Sequence, residues 1–541
     1  MISAHRCPLG SSIGPQAASA CGLLAVALFA LAVALLATAC GSVRHDMPRP
    51  PSQALENPHE TALGRSFAGQ LSIAPGSSGF RLLSSGQEAF IARAALAEAA
   101  QKTLDMQYFV VAPDATGSAL LDRALHAAQR GVRVRLLIDD LDVADRDDDL
   151  ANLAAHPLVQ VRAFNPFPSR SGGSLSRLFD YLSAGERLNR RMHNKLWIAD
   201  NAAALMGGRN LGDAYFNADG QTNFADLDLL AVGPVVTEAS RSFDEYWNSE
   251  WAIPIQALTD PRPGPQEIAQ RLAAMAERVA RFRRTDYARE LRETGFGALV
   301  RSGAVELTLA SAQVFFDPPA KLRAQSTEAN VGVIDALRKM VGDAQQELVL
   351  VSPYFVPSEQ GMQTLCGLAR RGVQVKVLTN SLASTDVAAV YAGYARYRSR
   401  LLACGVALYE LKPSVVGSGR LRRVLASGVS LHAKAIMVDR RTVLVGSMNL
   451  DPRSRLSNTE VAVLLDSAAM GLELGRWFDE ATSLDRAFRP ELSEPGNAGS
   501  PVLWVSRDAD RLERHSSEPL ASWWQRLASG LLGLVVPEAL L

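Results

Sequence analysis

Cysteine is nearly missing from the body of this chain. Five occur in 541 residues, and Cys7, Cys21 and Cys40 fall within the first 40. Only Cys366 and Cys404 remain, too few for a disulfide framework, and both are expected as small core residues rather than as a bridge. A surplus of positive charge is missing as well, since Lys plus Arg and Asp plus Glu number 56 each. Proteins that hold a polyanion usually show such a surplus, so a nucleic-acid partner is disfavoured. Ligand-rich carboxylate motifs are also missing, and neither a metal nor another cofactor is expected. What is present, 48% hydrophobic and 21% charged residues, is the balance of a globular protein. A chain this long is expected to divide into two domains.

One uncharged apolar run stands near the N-terminus, "GLLAVALFALAVALLATA" from Gly22 to Ala39. Its 18 residues suit an export signal or a short membrane span. The following "ATACGS" is similar to the lipobox of bacterial lipoproteins, in which the residue at Cys40 is lipidated. Either way the body is expected to be anchored to a membrane in the bacterial cell envelope, facing the periplasm. Residues 41–65 are Pro-rich and polar, the composition of a tether.

Beyond the tether the chain repeats itself. "LDMQYFVVAPDATGSALLDRALHAAQRGVRVRLLIDDL" (104–141) is matched by "LVLVSPYFVPSEQGMQTLCGLARRGVQVKVLTNSL" (348–382). Each reads as a strand around Tyr108-Phe109 or Tyr354-Phe355, a helix, then Arg-Gly-Val opening a second strand. The expected division is a signal over 1–40, the tether, an N-terminal α/β domain over 66–264, a helical connector over 265–296, a C-terminal α/β domain over 297–500 and an apolar tail over 501–541.

The repeat includes its most informative frames. "MHNKLWIADNAAALMGGRNL" (192–211) and "LHAKAIMVDRRTVLVGSMNL" (431–450) place His193, Lys195, Asp200, Gly207 and Asn210 in step with His432, Lys434, Asp439, Gly446 and Asn449. Each reads as a hairpin, with turns at Asn201-Ala202 and Arg440-Arg441. That register sets His193 opposite Asn210 and Lys195 opposite Gly208, and in the second copy His432 opposite Asn449 and Lys434 opposite Ser447. Side chains alternate along a strand, so imidazole, ammonium and amide share one face. Asp200 and Asp439 lie against the turn, where Asp commonly caps, and read as structural.

Such a patch suits a phosphodiester. Lys195, Lys434, Asn210, Asn449 and Ser447 supply hydrogen-bond donors for phosphate oxygens, and Gly208 leaves the first patch one donor short. One imidazole can attack phosphorus while the other protonates the leaving oxygen. Two ammonium groups supply the charge stabilisation that metals provide elsewhere, and would repel a cation.

The two frames resemble the paired HxKxxxxD motifs of the phospholipase D superfamily, and both are complete. Further stretches, including "FADLDLLAVGPVV", "VFFDPPAKL" and "NSLASTDVAAVYAGYARYR", resemble the bacterial cardiolipin synthase C type, over roughly 67–541. The resemblance implies two similar phospholipase D-like α/β domains, mixed sheets flanked by helices, facing each other across one active site. It implies a metal-free phosphatidyltransferase acting on membrane phospholipids such as phosphatidylglycerol and phosphatidylethanolamine, with His193 as nucleophile and His432 as acid. It also implies a downstream acid for each His: Glu460, 28 residues after His432, and as its counterpart Asp226, in preference to Asp228.

The basic runs "RLNRR" (187–191) and "RLRR" (420–423) precede the frames and read as solvated loops or headgroup attractors. The C-terminal "PLASWWQRLASGLLGLVVPEALL" (519–541) is too short and interrupted to span a bilayer, and reads as an interfacial segment or a helix buried on the domain. Three function classes compete: a transferase forming cardiolipin, a hydrolase of the same superfamily (phospholipase or exported nuclease), and a non-catalytic lipid-binding lipoprotein. Complete frames disfavour the last. A protein partner is left open.

Overall fold

The computed structural model describes residues 47–141, 147–168, 185, 187–259, 264–323, 332–413, 428–508 and 511–538. The leader with Cys40, residues 41–46 of the expected tether and the run at 420–423 lie outside the described residues.

The first half contributes β1 (Ser78–Leu83), β2 (Thr103–Tyr108), β3 (Arg133–Asp139), β4 (Val159–Phe164), β5 (Leu196–Ala199), β6 (Ala203–Gly207), β7 (Thr222–Ala225), β8 (Asp228–Val232) and β9 (Ala252–Pro254). The second contributes β10 (Thr308–Phe316), β11 (Glu347–Val351), β12 (Gln374–Asn380), β13 (Ala407–Leu411), β14 (Gly428–Leu431), β15 (Ala435–Val438), β16 (Thr442–Gly446), β17 (Val461–Asp466), β18 (Ala487–Leu492), β19 (Val502–Asp508) and β20 (Arg511–His515).

The repeated stretches form matching units. β2, β3 and β4 run parallel, as do β11, β12 and β13. Parallel strands need crossovers, and the helices Ala115–Gln129 and Ser358–Arg370 supply the first in each half. Gly131 and Gly372 end those helices in the left-handed region, at φ 97° and 91°, where a Cβ is unwelcome. β11 stops at Val351, short of the expected Tyr354-Phe355.

Each half then adds an antiparallel run, β2–β5–β6–β8–β1 and β11–β15–β16–β17–β10. β1 pairs antiparallel with β10, so the two sheets join edge to edge. Besides one apolar core in each half, a third is shared: Phe80, Ile198 and Leu229 of the first half cluster with Val349, Met437 and Val443 of the second. The halves bury one another's surface, which fixes the seam between them.

The stretch expected as a connector holds the helices Pro265–Arg283 and Asp286–Glu293. Two expectations are corrected. The described part of the tether lies on the first half: Arg135 and Arg162 donate to the carbonyls of Ser52 and Pro50, and the Ala54 N–H donates to Asp244. These buried guanidiniums need acceptors, and the polar stretch provides them. Second, Cys366 and Cys404 form a disulfide, with Cα atoms 5.4 Å apart. Its partners sit at the helix Ser358–Arg370 and just past the helix Ala388–Ala403, neighbours that the sequence separation of 38 concealed.

Candidate active site

Both frames are hairpins, but in a register one residue away from the expected one. Leu196 pairs with Met206, and Ala435 with Val445. The turns are centred one residue earlier, on Asp200–Asn201 and Asp439–Arg440, all with φ between 50° and 53°. One extra residue follows before pairing resumes, which moves every partner by one.

The acids cause this. Asp200 accepts from the backbone N–H of Gln101, Lys102 and Thr103 at 2.7–2.9 Å, and Asp439 from Gln345, Gln346 and Glu347 at 2.7–3.1 Å. The left-handed turn lets each carboxylate cap the entry to β2 or β11, a structural duty that Asp tolerates well.

The catalytic candidates lie just ahead of β5 and β15. Backbone bonds across the seam hold them: the His193 N–H donates to Thr459, and the His432 N–H to Ala225. β7 and β14 pair in parallel, one from each half, to deliver Ala225 and Leu431 side by side. Each His is therefore bonded to the residue just before the other half's acid.

The acids follow that exchange. His193 Nδ1 lies 2.9 Å from Glu460, and His432 Nδ1 lies 2.6 Å from Asp226. The downstream pairing expected from sequence order is corrected: each acid serves the His of the opposite half. A carboxylate only accepts, so each Nδ1 carries the proton and each Nε2 is left with a free lone pair. Asp228, the alternative acid, is instead paired with Arg93 at 2.9 Å and Arg209 at 3.5 Å.

Glu460 is held from three sides. Ser447 donates to it at 2.5 Å and Ser454 at 2.8 Å, while its backbone N–H donates to Asp317. Ser447, expected on the phosphate, thus positions the acid instead. Asp317 is in turn neutralised by Lys321 at 2.8 Å, so the "DPPAK" stretch braces the site from behind. At the matching place in the first half, a Cβ on Gly208 would stand 2.1 Å from Asp226 Oδ1. The shorter Asp sits deeper and occupies the room that a Ser side chain fills in the other copy. Gly207 and Gly446 leave no such room either, their Cβ positions falling 2.3–2.4 Å from the neighbouring strand's atoms.

The two ammonium groups complete the site. Lys195 donates to the His193 carbonyl at 2.6 Å, and Lys434 to that of His432. Burial pulls both imidazoles down to about 4, with the nearby lysines adding to the effect. Burial also lowers Lys195 well below its usual range and Lys434 to about 8. Against the cost of burial, His193 and Lys195 hold Glu460 low, as His432 and Lys434 hold Asp226. An anionic phosphodiester between the two lysines would relieve this excess of positive charge.

Aromatic walls, unread in the sequence, flank the imidazoles: Phe109 at 5.2 Å from His193, and Tyr215 and Phe224 at 5.2 and 5.0 Å from His432. Asn210 is engaged at both ends, accepting from the Val110 N–H and donating to the Tyr215 hydroxyl. Asn449 is not: its buried Oδ1 has no hydrogen-bond partner. Among the described residues no group of three or more His, Cys, Asp or Glu is arranged to hold a metal ion.

Fold and site define a two-domain enzyme of the phospholipase D type. The family model "Cardiolipin synthase, PLD-like domain" matches residues 94–247 and 337–482, one match per half. Cardiolipin synthase C of Escherichia coli (strain K12) is 38% identical over 470 residues, covering 86% of this chain and 97% of that protein. Cardiolipin synthase A of Cronobacter sakazakii is 26% identical over 409 residues, 75% and 69% of the two chains. The crystal structure of phosphatidylserine synthase from Haemophilus influenzae Rd KW20 shares the fold, with a TM-score of 0.50, 14% identity and coverage of 77% and 90%. The chain belongs to the cardiolipin synthase family of phospholipase D-like proteins.

Proposed function

We propose that the protein is a phosphatidyltransferase that forms cardiolipin through a phosphohistidine intermediate. The observation that carries this reading is the crossed pairing of two imidazoles with two carboxylates, which leaves both Nε2 atoms free in a site with two buried ammonium groups. With the anionic phosphodiester of a donor lipid between the lysines, His432 takes up a proton on Nε2 from solvent. His193 Nε2 then attacks the phosphorus, the bond to the headgroup alcohol breaks, and that oxygen takes the proton from His432 Nε2. The terminal hydroxyl of a phosphatidylglycerol then gives its proton to His432 and displaces His193, releasing cardiolipin. Lys195 and Lys434 stabilise the oxygens that gain charge. Phosphatidylglycerol or phosphatidylethanolamine serves as donor. Both imidazoles are only 9% exposed, which favours a bound acceptor over water.

The periplasmic, membrane-anchored placement rests on three supports: the leader with Cys40, the disulfide, which persists in oxidising compartments, and the helix Trp523–Val535 with its exposed apolar side chains. None of the described helices is long and apolar enough to cross a membrane. The purified protein in mixed phosphatidylglycerol and phosphatidylethanolamine vesicles is expected to make cardiolipin faster than phosphatidic acid. Phosphatidic acid as the main product would mean a hydrolase, and cleavage of DNA without lipid turnover a nuclease.

A further inference from the structure

The two halves match closely at the catalytic frames but differ beside their asparagines. Asn210 is closed off by Tyr215. Asn449, 4% exposed and with Oδ1 unpartnered, lines a cavity of about 330 Å³ between the helices Val333–Gly342 and Ser358–Arg370. That volume is within the range of small-molecule sites, roughly 300–1,000 Å³. Its walls are apolar, with Leu337, Val341, Phe355, Leu365, Met448 and Leu450 among them, while Arg338 and Arg455 also line it. A small void lined in part by Lys434 shares Leu337, Met448 and Leu450 with the cavity, so apolar wall runs outward from the strand that carries Lys434.

We propose that this cavity holds one acyl chain of the phospholipid being turned over, with Asn449 at the boundary between the chain and its phosphate. The inference rests on the reading above that the substrate is a phospholipid. A headgroup would leave these apolar walls unpartnered, whereas a chain buries against them. The slot also gives the otherwise two-fold site an asymmetric seat for its lipid.

The test fills the slot from its outer helix, with Gly361→Phe and Thr364→Trp. Headgroup release is compared between dioleoyl and dihexanoyl phosphatidylglycerol in micelles. The expected result is a loss of at least ~10-fold in kcat/KM for the long-chain lipid and a change within about twofold for the short one. Equal losses for both, or none for either, overturn the proposal. As a second measurement on the unaltered protein, dioleoyl lipid carrying a diazirine on its chain is expected to label residues 333–342 or 358–370. Labelling confined to other segments overturns it. Headgroup release reports on the slot whether the product is cardiolipin or phosphatidic acid, so failure of the transferase reading is seen separately. Turnover of a soluble phosphodiester with neither lipid turnover nor labelling would overturn both.

Discussion

Glu460 and His193 are 267 positions apart and meet at 2.9 Å across the seam, while Asp226 and His432, 206 apart, meet at 2.6 Å. Neither half holds a complete His–acid pair, so the proposed chemistry depends on the seam being closed. On that proposal the exchange also assigns each acid to a step. Glu460→Gln is expected to slow phosphohistidine formation about 10²–10⁴-fold by upsetting the tautomer of the nucleophile. Asp226→Asn is expected to matter for a poor leaving group and little for a nitrophenyl ester, which needs no proton. Rapid-quench kinetics with both substrates checks this. The opposite pattern would mean that His193 is the acid and His432 the nucleophile.

Asp200 and Asp439 work on the fold instead. Each closes three backbone N–H groups at the entry to β2 or β11. Asp439→Asn is expected to cost about 1–3 kcal/mol, the scale of unsatisfied backbone donors, with turnover per folded molecule kept. Urea unfolding alongside active-site titration separates the two quantities. A fully folded, inactive Asp439→Asn protein would contradict the capping role.

Gly208→Ala makes the reverse prediction. Its new Cβ would press on Asp226 at 2.1 Å and push the carboxylate off His432. Activity is expected to fall about 10–100-fold or more, the range for losing a support of a reactive group, while stability changes less than for a core lesion. Unchanged turnover of a slow-leaving lipid would show that Asp226 is not needed where it stands.

Much of this was legible in the sequence. The duplicated frames and the alternation of strands and helices are local patterns, and physics reads local patterns well, whereas the acids at 460 and 226 were implied only by the family resemblance. The exchange of acids was not, because it arises from strand β7 pairing with β14 and from a shared core, contacts that no spacing within either half encodes. The register erred by one because the Asp–Asn and Asp–Arg turns take left-handed backbone and an extra residue, driven by carboxylate bonds to a distant strand. Ser447 looked like a phosphate ligand for the same reason: its partner, Glu460, comes from another strand. The disulfide needed the packing of two helices to become visible.

Titration follows from the burial of the site. Lys434, lowered from 10.5 to about 8, loses its ammonium as pH rises through about 8. A fall in kcat/KM above that pH is therefore expected, and Lys434→Arg should weaken this limb while retaining some activity, because a guanidinium stays charged while Lys195, also lowered by burial, still titrates. Stability runs the other way. Both histidines are lowered from 6.5 to about 4, so below about pH 6.5 the unfolded chain takes up protons that the folded chain refuses. Stability should decline as pH drops from about 6.5 toward 4, and His193→Gln with His432→Gln should flatten that decline. Urea midpoints across the range measure it, and identical slopes in both proteins would contradict the buried neutral imidazoles.

The helix Trp523–Val535 sets up the last prediction. Ser522 and Gln525 form a capping box at its start, and Arg396 holds its far end through the carbonyls of Gly533 and Val536. Yet Trp523, Trp524, Leu531 and Leu534 are 56–85% exposed, an apolar face too regular for a solvated surface. The helix also stands close to the chemistry. Gln525 donates to Leu382, two residues past Asn380, whose amide donates to the carbonyl of Leu431 beside His432. A bilayer meeting this face would present lipids next to the site. Replacing Trp523, Trp524 and Leu534 by Ser is expected to weaken vesicle binding at least ~10-fold, each side chain being worth roughly 1.5–3 kcal/mol when fully buried. Turnover of a soluble phosphodiester should be unchanged, since none of the three touches the catalytic residues. Sedimentation with vesicles and a nitrophenyl phosphodiester assay test both halves of the claim. Full vesicle binding by the leaderless triple variant would mean that another surface meets the membrane.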